Sequence, residues 1–280
     1  MKSVSVGLVG EGILSSKSPL LHQSEAESQN LNLSYELYDF LILKKTEKDL
    51  DTFLKTIELL GYSGLNITHP FKQAVIPFLD ELSEDAQTIN AVNTVVFKDH
   101  KKIGYNTDYL GFQNAFKAEL NDVNLTKVIQ LGAGGAGSAV ATAMLRLGTK
   151  QLMIHDKDMH RAQSLTAMLN EKFGAGKASA IEDAQFEILT ANGLINTTPV
   201  GMSTHPGMPT TPNTLRSELW VADIVYFPIE TELLKNARAI GCRTMGGGKM
   251  VVYQAAKAFE LFTGLTANTE RMLLTFKSSY

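Results

Sequence analysis

The run Gly132-Ala133-Gly134-Gly135-Ala136-Gly137 constrains this chain more than any other segment. The apolar stretch Val128-Ile129-Gln130-Leu131 precedes it, and a helical pattern over 138–147 comes after it. Few folds accommodate that order other than a strand turning sharply into a helix. Gly132, Gly134 and Gly137 fit the G-x-G-x-x-G spacing. The first glycine allows the tight turn, the second lets backbone approach a pyrophosphate, and the third permits close helix–strand packing. An anion in such a turn meets unsatisfied N–H groups and the positive end of the helix dipole. A plain joining turn would need the same glycines. The nucleotide reading gains from a second strand downstream, over 151–155, that ends in acidic residues. Asp156 and Asp158 are both available. A carboxylate there accepts hydrogen bonds from ribose hydroxyls and repels a 2′-phosphate, which favours NAD over NADP. Arg161, one helical turn later, could still reach a phosphate, and either aspartate could equally be a loop or cap residue.

Strand-like and helix-like segments alternate along the whole chain, the pattern of an α/β protein with parallel sheets. Residues 4–9 read as a first strand. Residues 19–29 read as a helix, with Ser18 able to cap it and Pro19 at its first position. Thr46-Glu47-Lys48-Asp49 resembles a capping box with Asp in place of Glu or Gln, and the helix it opens should end at Gly61. A strand over 64–68 leads to Pro70, which is expected to open another helix. Residues 92–97 and 102–105 look like paired strands around a turn at 98–100. The expected architecture is an N-terminal α/β substrate domain over 1–110 and a Rossmann-type, doubly wound nucleotide domain over 111–250. Helices over 251–280 are expected to return to the first domain.

The 280-residue length suits two modest domains or one large one. A net charge of -3 gives no electrostatic reason to expect nucleic acid. Cys242 is the only cysteine, which excludes an intrachain disulfide and fits a reducing compartment. No apolar stretch reaches the roughly 18 residues of a membrane span, and the N-terminus lacks a signal-peptide core. The expectation is a soluble cytoplasmic protein that acts on small molecules.

Asn66-Ile67-Thr68-His69-Pro70-Phe71-Lys72 places a lysine in the opening turn of the expected helix after Pro70. The dipole there works against an ammonium by a few tenths to about 1 kcal/mol, and a nearby carboxylate pulls the other way. Asn106-Thr107-Asp108 offers one. Lys72 and Asp108 together could manage the proton of a substrate hydroxyl while hydride leaves the same carbon. Taken singly, Lys72 could be a solvated surface lysine and Asp108 a helix cap. Ser16-Lys17-Ser18-Pro19 also has two readings, a helix cap or a pair of hydroxyls that receive a carboxylate. Asn93 is a polar residue in an apolar strand, Gln254 an ordinary helix residue or a ligand contact, and Tyr226 a core aromatic or a site residue. His22 and His69 read as structural, and no spacing suggests a metal site.

This ordered series, with Ala91-Val92-Asn93-Thr94 and Gln254-Ala255-Ala256 added, resembles the shikimate dehydrogenase family over nearly the whole chain. Thr68-His69-Pro70, Pro228-Ile229-Glu230-Thr231-Glu232 and Asp158 resemble its NAD-preferring quinate/shikimate branch. The resemblance implies reversible reduction of 3-dehydroshikimate to shikimate, with quinate and 3-dehydroquinate as a second couple. The setting would be aromatic amino-acid biosynthesis or quinate catabolism, in a monomer or homodimer. It implies that Ser16 and Ser18 bind the ring carboxylate, and that Asn66, Thr68, Asn93 and Gln254 contact ring hydroxyls. Lys72 and Asp108 would be the catalytic pair. Tyr226, counted with the substrate contacts, and Met250 would line the nicotinamide side. Cofactor contacts would come from Gly132, Ala133, Gly134, Gly135, Ala136, Gly137, Asp156, Asp158, Arg161, Thr198, Met202, Gly247 and Met250. Three departures stand out. Asp156-Lys157-Asp158 replaces the Asn-Arg-Thr run of NADP-dependent members. Gly246-Gly247-Gly248-Lys249-Met250 replaces Asp-Gly-Leu-Gly-Met. Ser18 stands where quinate-preferring relatives often carry Thr.

Overall fold

The computed structural model describes residues 3–279. It divides into two compact units, Met1–Leu110 with Val252–Tyr280, and Gly111–Val251. The boundaries fall inside two helices.

The first unit begins with β1 (Ser3–Gly10), α1 (Ser18–Ser28), β2 (Asn32–Asp39), α2 (Leu50–Leu59) and β3 (Gly64–Ile67). It continues through β4 (Glu81–Leu82), α3 (Glu84–Ile89), β5 (Thr94–Lys98), β6 (Lys101–Tyr105) and the start of α4 (Asp108–Glu119). Its sheet runs β2-β1-β3-β5-β6-β4. β1 pairs parallel with β2 and β3, whereas β5 pairs antiparallel with β3 and β6. This sheet is therefore mixed, not parallel throughout. The reason is the turn at Asp99 and His100, both at positive φ, which folds β5 directly back onto β6. The core gathers Phe40, Phe53 and Phe71 with Leu50, Leu54, Leu65, Ile67 and Val75. Phe40 packs edge-on against Phe53, with ring centroids 5.1 Å apart, and lies 5.0 Å from Phe71.

The Thr46 capping box forms as the sequence predicts, and α2 gives way to Gly61 at φ +78. The helix expected after Pro70 does not form. Residues 70–75 make turns, followed by a single 3-10 turn over Ile76–Phe78. Pro77 explains this. It has no N–H to give Gln73, its ring would strike that carbonyl, and it disfavours α geometry at Ile76. The six residues left between the prolines are too few for a stable helix.

The second unit holds the rest of α4, then β7 (Lys127–Leu131), α5 (Gly135–Arg146), β8 (Gln151–His155), α6 (Met159–Phe173), β9 (Ala178–Ala180) and α7 (Ala184–Ile188). β10 (Gly193–Asn196), β11 (Trp220–Asp223), α8 (Glu232–Ile240), β12 (Thr244–Met245) and the start of α9 (Gly247–Thr263) complete it. Its sheet runs β12-β11-β10-β7-β8-β9, and every pair is parallel. Read from β9, that is the doubly wound Rossmann order, with the strand direction of travel reversing beside β7. The rest of α9 and α10 (Thr269–Ser278) belong to the first unit. There α10 is tied to α1 by Arg271, whose Nε and Nη2 donate to the buried Glu25 carboxylate at 2.8 and 2.7 Å. Burial works to raise the Glu25 pKa, but Arg271, the Asn268 N–H and Gln29 together hold it below the usual value.

Candidate active site

In the first unit, the segment carrying Lys72 is fixed by its neighbours. Phe71 and Val75 sink into the core, and the Lys72 carbonyl accepts the Val92 N–H at 2.8 Å. The lysine side chain is left to reach Asp108, with Nζ 2.5 Å from Oδ2. The two side chains are 17% and 4% exposed, so this is a largely desolvated pair. Asp108 opens α4 but does not cap it. Asn106 does: its Oδ1 accepts the Tyr109 N–H at 3.2 Å, and its Nδ2 donates to the Ala91 carbonyl. That leaves the Asp108 carboxylate for the lysine. The helix-dipole penalty expected for Lys72 does not apply, because no helix begins at Pro70.

Of the amides predicted to meet a hydroxylated ring, Asn66 lies on β3, Asn93 immediately before β5 and Gln254 on α9. Asn66 on β3 faces Thr94 on β5 in register, and its Nδ2 donates to Thr94 Oγ1 at 3.0 Å. Its Oδ1 accepts the Tyr35 hydroxyl at 2.8 Å. Asn93 is buried; its Oδ1 accepts the Thr107 N–H at 2.7 Å. Its Nδ2 donates to Thr107 Oγ1 at 2.9 Å and to Gln254 Oε1 at 3.4 Å. The structure thus brings Asn93 and Gln254 together across 161 residues. Thr68, half-buried, follows β3, and its N–H bonds the Val9 carbonyl. Ser18 is not a helix cap. Lys17 precedes α1 without a side-chain cap, while Ser16 Oγ accepts the Ser18 N–H and donates to Ser18 Oγ, both at 3.2 Å. His22 sits below them among Tyr35, Phe259 and Phe262, with Nδ1 2.9 Å from the Ser18 carbonyl. Burial pushes its pKa down to about 4, against the opposing pull of that carbonyl, so it is a neutral structural residue.

In the second unit the glycine turn has the form its spacing requires. Gly132 has φ +104. A Cβ on Gly137 would lie 2.5 Å from the Gly132 carbonyl oxygen, which is the close helix–strand approach. A Cβ on Gly134 would meet nothing within 4 Å. The space beside Gly134 is therefore open, and α5 starts there with no side-chain cap. The first intrahelical bond is Ser138 N–H to the Gly134 carbonyl, so the amides of Gly135, Ala136 and Gly137 precede the helical ladder. This is a cradle that fits a pyrophosphate. Three side chains brace it: Gln130 Nε2 donates to the Gly132 and Gly137 carbonyls, Thr197 Oγ1 to those of Leu131 and Gly132, and Asp156 Oδ2 accepts the Ala133 N–H at 2.7 Å.

Both aspartates after β8 are structurally engaged. Asp156 holds Ala133 and, through Oδ1, the Asp158 N–H; Asp158 caps α6 through the His160 N–H and faces Arg161 Nε at 3.5 Å. Thr198 is half-buried and donates to Asn196 Oδ1, whereas Met202 is exposed. Tyr226 is half-buried beyond β11, and Met250 is buried in α9. A Cβ on Gly247 would strike the Ile224 carbonyl at 2.3 Å, so that glycine serves packing between α9 and the end of β11.

Sequence reasoning missed the buried pair Asn196 and Asp223, at the ends of β10 and β11. Asn196 Nδ2 donates to Asp223 Oδ1 and to the Val200 carbonyl, both at 2.9 Å. Asp223 also accepts the Val225 N–H and the Thr231 hydroxyl. Burial pushes its pKa up to about 6, against the pull of those three donors. A polar residue closing each of two apolar strands was the available signal. Among the described residues no group of three or more His, Cys, Asp or Glu could hold a metal ion.

Comparison with known proteins adds a second line of observation. A model of the shikimate dehydrogenase substrate-binding domain matches residues 8–95, and one of the shikimate 5′-dehydrogenase C-terminal domain matches residues 249–273. The chain is 47% identical over 273 residues to a shikimate dehydrogenase (NADP(+)) of Streptomyces avermitilis, covering 97% of this chain and 94% of that one. It is 44% identical over 279 residues to a quinate/shikimate dehydrogenase (NAD(+)) of Corynebacterium efficiens, covering 99% and 98%. A quinate dehydrogenase of Corynebacterium glutamicum, solved in complex with NAD, superposes with a TM-score of 0.92 at 42% identity, over 99% of each chain.

Proposed function

The chain belongs to the shikimate dehydrogenase family, and on that premise we propose that it interconverts shikimate and 3-dehydroshikimate with a nicotinamide dinucleotide, NAD favoured and NADP possible as a substitute. Quinate is its second substrate, a reading favoured by the similarity to enzymes named for both. The observation that carries the proposal is the Lys72–Asp108 pair at 2.5 Å, with Asn106 relieving Asp108 of capping.

In this reading Ser16 and Ser18 hold the ring carboxylate, while Asn66, Thr68, Asn93 and Gln254 hold ring hydroxyls. In the oxidising direction the unprotonated amine of Lys72 takes the proton of the reacting hydroxyl as its carbon becomes a carbonyl. In the reducing direction Lys72 Nζ returns a proton to that oxygen. Asp108 keeps the amine oriented and balances its charge. When bound, the nicotinamide supplies the other half of the redox couple. The glycine turn and the first turn of α5 hold its pyrophosphate. Asp158 addresses the ribose hydroxyls and disfavours a 2′-phosphate, with Asp156 holding the turn in shape. Thr198, Met202, Tyr226 and Met250 complete the cofactor side.

No helix among the described residues is long and apolar enough to cross a membrane. A cytoplasmic enzyme, monomeric or homodimeric, fits this reading. The test is absorbance of the reduced nicotinamide, with shikimate and quinate each offered with NAD and with NADP. Turnover of shikimate with NAD is expected; no turnover of either acid with either cofactor overturns the proposal.

A further inference from the structure

Asp39 closes β2 beside Gly10, its register partner at the end of β1. Beyond Gly10 the chain enters the segment that carries Ser16 and Ser18. Asp39 is 5% exposed, and its carboxylate is held by backbone N–H groups. Oδ2 accepts that of Ile13 at 2.9 Å; Oδ1 accepts those of Gly12 at 3.2 Å and Leu41 at 3.1 Å. The Ile13 carbonyl accepts the Ser16 N–H at 2.9 Å. Ser16 Oγ then bonds both the N–H and the hydroxyl of Ser18. A continuous hydrogen-bonded path thus runs from one buried carboxylate to both serines.

Lys17 Nζ ties the far end of the segment to the Ser279 carbonyl at 3.2 Å. Ile13 is buried, but Gly12, Leu14 and Ser15 are exposed, and Gly12 sits at φ +66. The opposite flank is fixed by the Glu11 N–H on the His69 carbonyl at 3.0 Å. With that flank tied to the segment that follows the strand of Asn66, Asp39 sets where the serine hydroxyls stand against the ring-hydroxyl amides.

We infer that Asp39 is a positioning residue for the carboxylate of the substrate. The inference rests on the reading that Ser16 and Ser18 receive that carboxylate. Asp39→Asn keeps one acceptor oxygen and turns an NH2 group toward an N–H, so at least one bond to Gly12, Ile13 or Leu41 is lost. The serine pair loosens, while Lys72 and Asp108, on other segments, keep their contact.

The experiment is steady-state kinetics of wild type and Asp39→Asn with shikimate and NAD. The variant is expected to raise KM for shikimate tenfold or more, with kcat within twofold and KM for NAD unchanged. A merely structural role would lower kcat through a smaller folded fraction and leave KM alone; that result, or an unchanged KM, overturns the inference. A wild type inactive on shikimate overturns the functional reading and this inference with it. An active wild type beside a variant of unchanged KM overturns this inference only. If the variant does not fold, hydrogen exchange on the unliganded wild type decides. Protected amides at Gly12, Ile13 and Ser16 are expected, and exchange at the free-loop rate overturns it.

Discussion

Alanine at Gly134 and at Gly137 should separate cofactor binding from stability within one turn. Gly134 has φ -76 and ψ -171, a conformation any residue adopts, and its added Cβ has no neighbour within 4 Å. Replacing glycine there stabilises by about 0.4–1 kcal/mol through the unfolded chain. Alanine is a poorer N-cap than glycine by a similar amount, about 0.5–1 kcal/mol. The two terms cancel, so Gly134→Ala should melt within a degree or two of wild type. The new methyl nonetheless fills the space a pyrophosphate needs. Displacing the dinucleotide or the backbone to relieve that overlap costs about 1–3 kcal/mol, a loss of roughly 5- to 150-fold in NAD affinity. Gly137→Ala differs, because its Cβ would lie 2.5 Å from the Gly132 oxygen and 3.0 Å from Thr197 Oγ1. The helix must move off the strand, so melting temperature and affinity both fall. Calorimetric titration with NAD, alongside thermal melting, reads both quantities. If Gly134→Ala binds NAD within twofold of wild type, this turn does not seat the pyrophosphate, and the assignment fails.

Lys72→Ala should lower kcat by about 10²- to 10⁴-fold while KM for shikimate changes only a few-fold, because the amine acts on the proton in flight; near-normal turnover would remove Lys72 from the mechanism. Asp223 has a folded pKa of about 6 against an ordinary 3.8, so the folded state holds its proton more tightly than the unfolded chain. The stability this gives is complete below about pH 4 and is lost as pH rises through 6, a swing on the order of 3 kcal/mol. Asp223→Asn stays neutral, and Thr231 can turn its hydroxyl to accept from the new NH2. Melting curves from pH 4.5 to 7.5 should therefore show the variant gaining on wild type as pH rises, and parallel curves would refute the assignment. Rebuilding 156–158 as Asp156→Asn, Lys157→Arg and Asp158→Thr should shift the NAD-to-NADP ratio of kcat/KM toward NADP by at least tenfold, read in the same absorbance assay; an unmoved ratio would place the discrimination elsewhere.

The glycine turn is legible because its whole signal is contiguous. Strand, turn and helix succeed each other within twenty residues, and each glycine answers a local steric demand. The Thr46 box and the stop at Gly61 are legible for the same reason. The segment after Pro70 reads wrongly when Pro70 is weighed as a helix opener without Pro77 as a helix breaker. Lys72 and Asp108 are recognisable as a pair of types, but what leaves Asp108 available, the cap made by Asn106, depends on which of two adjacent candidates takes the N–H. Asn93 with Gln254 joins residues 161 apart, a contact no local pattern encodes.

The positions that sequence reasoning overlooks share one physical origin. Asp39 closes β2, Asn196 closes β10 and Asp223 closes β11, each the last residue of a parallel-paired strand. Parallel pairing sets carboxyl ends side by side, so residues far apart in order become neighbours there, and loops that leave those ends need partners for N–H groups the sheet no longer serves. A short acceptor closing a parallel strand supplies them. Asp39 does so for Gly12, Ile13 and Leu41, Asn196 for Thr198, and Asp223 for Val225. Asp156, the first residue past β8, does so for Ala133 across from the end of β7. In each sheet these braces lie under the loops that carry the proposed ligand contacts. A parallel strand that ends in Asp or Asn therefore holds the loop beside it in place.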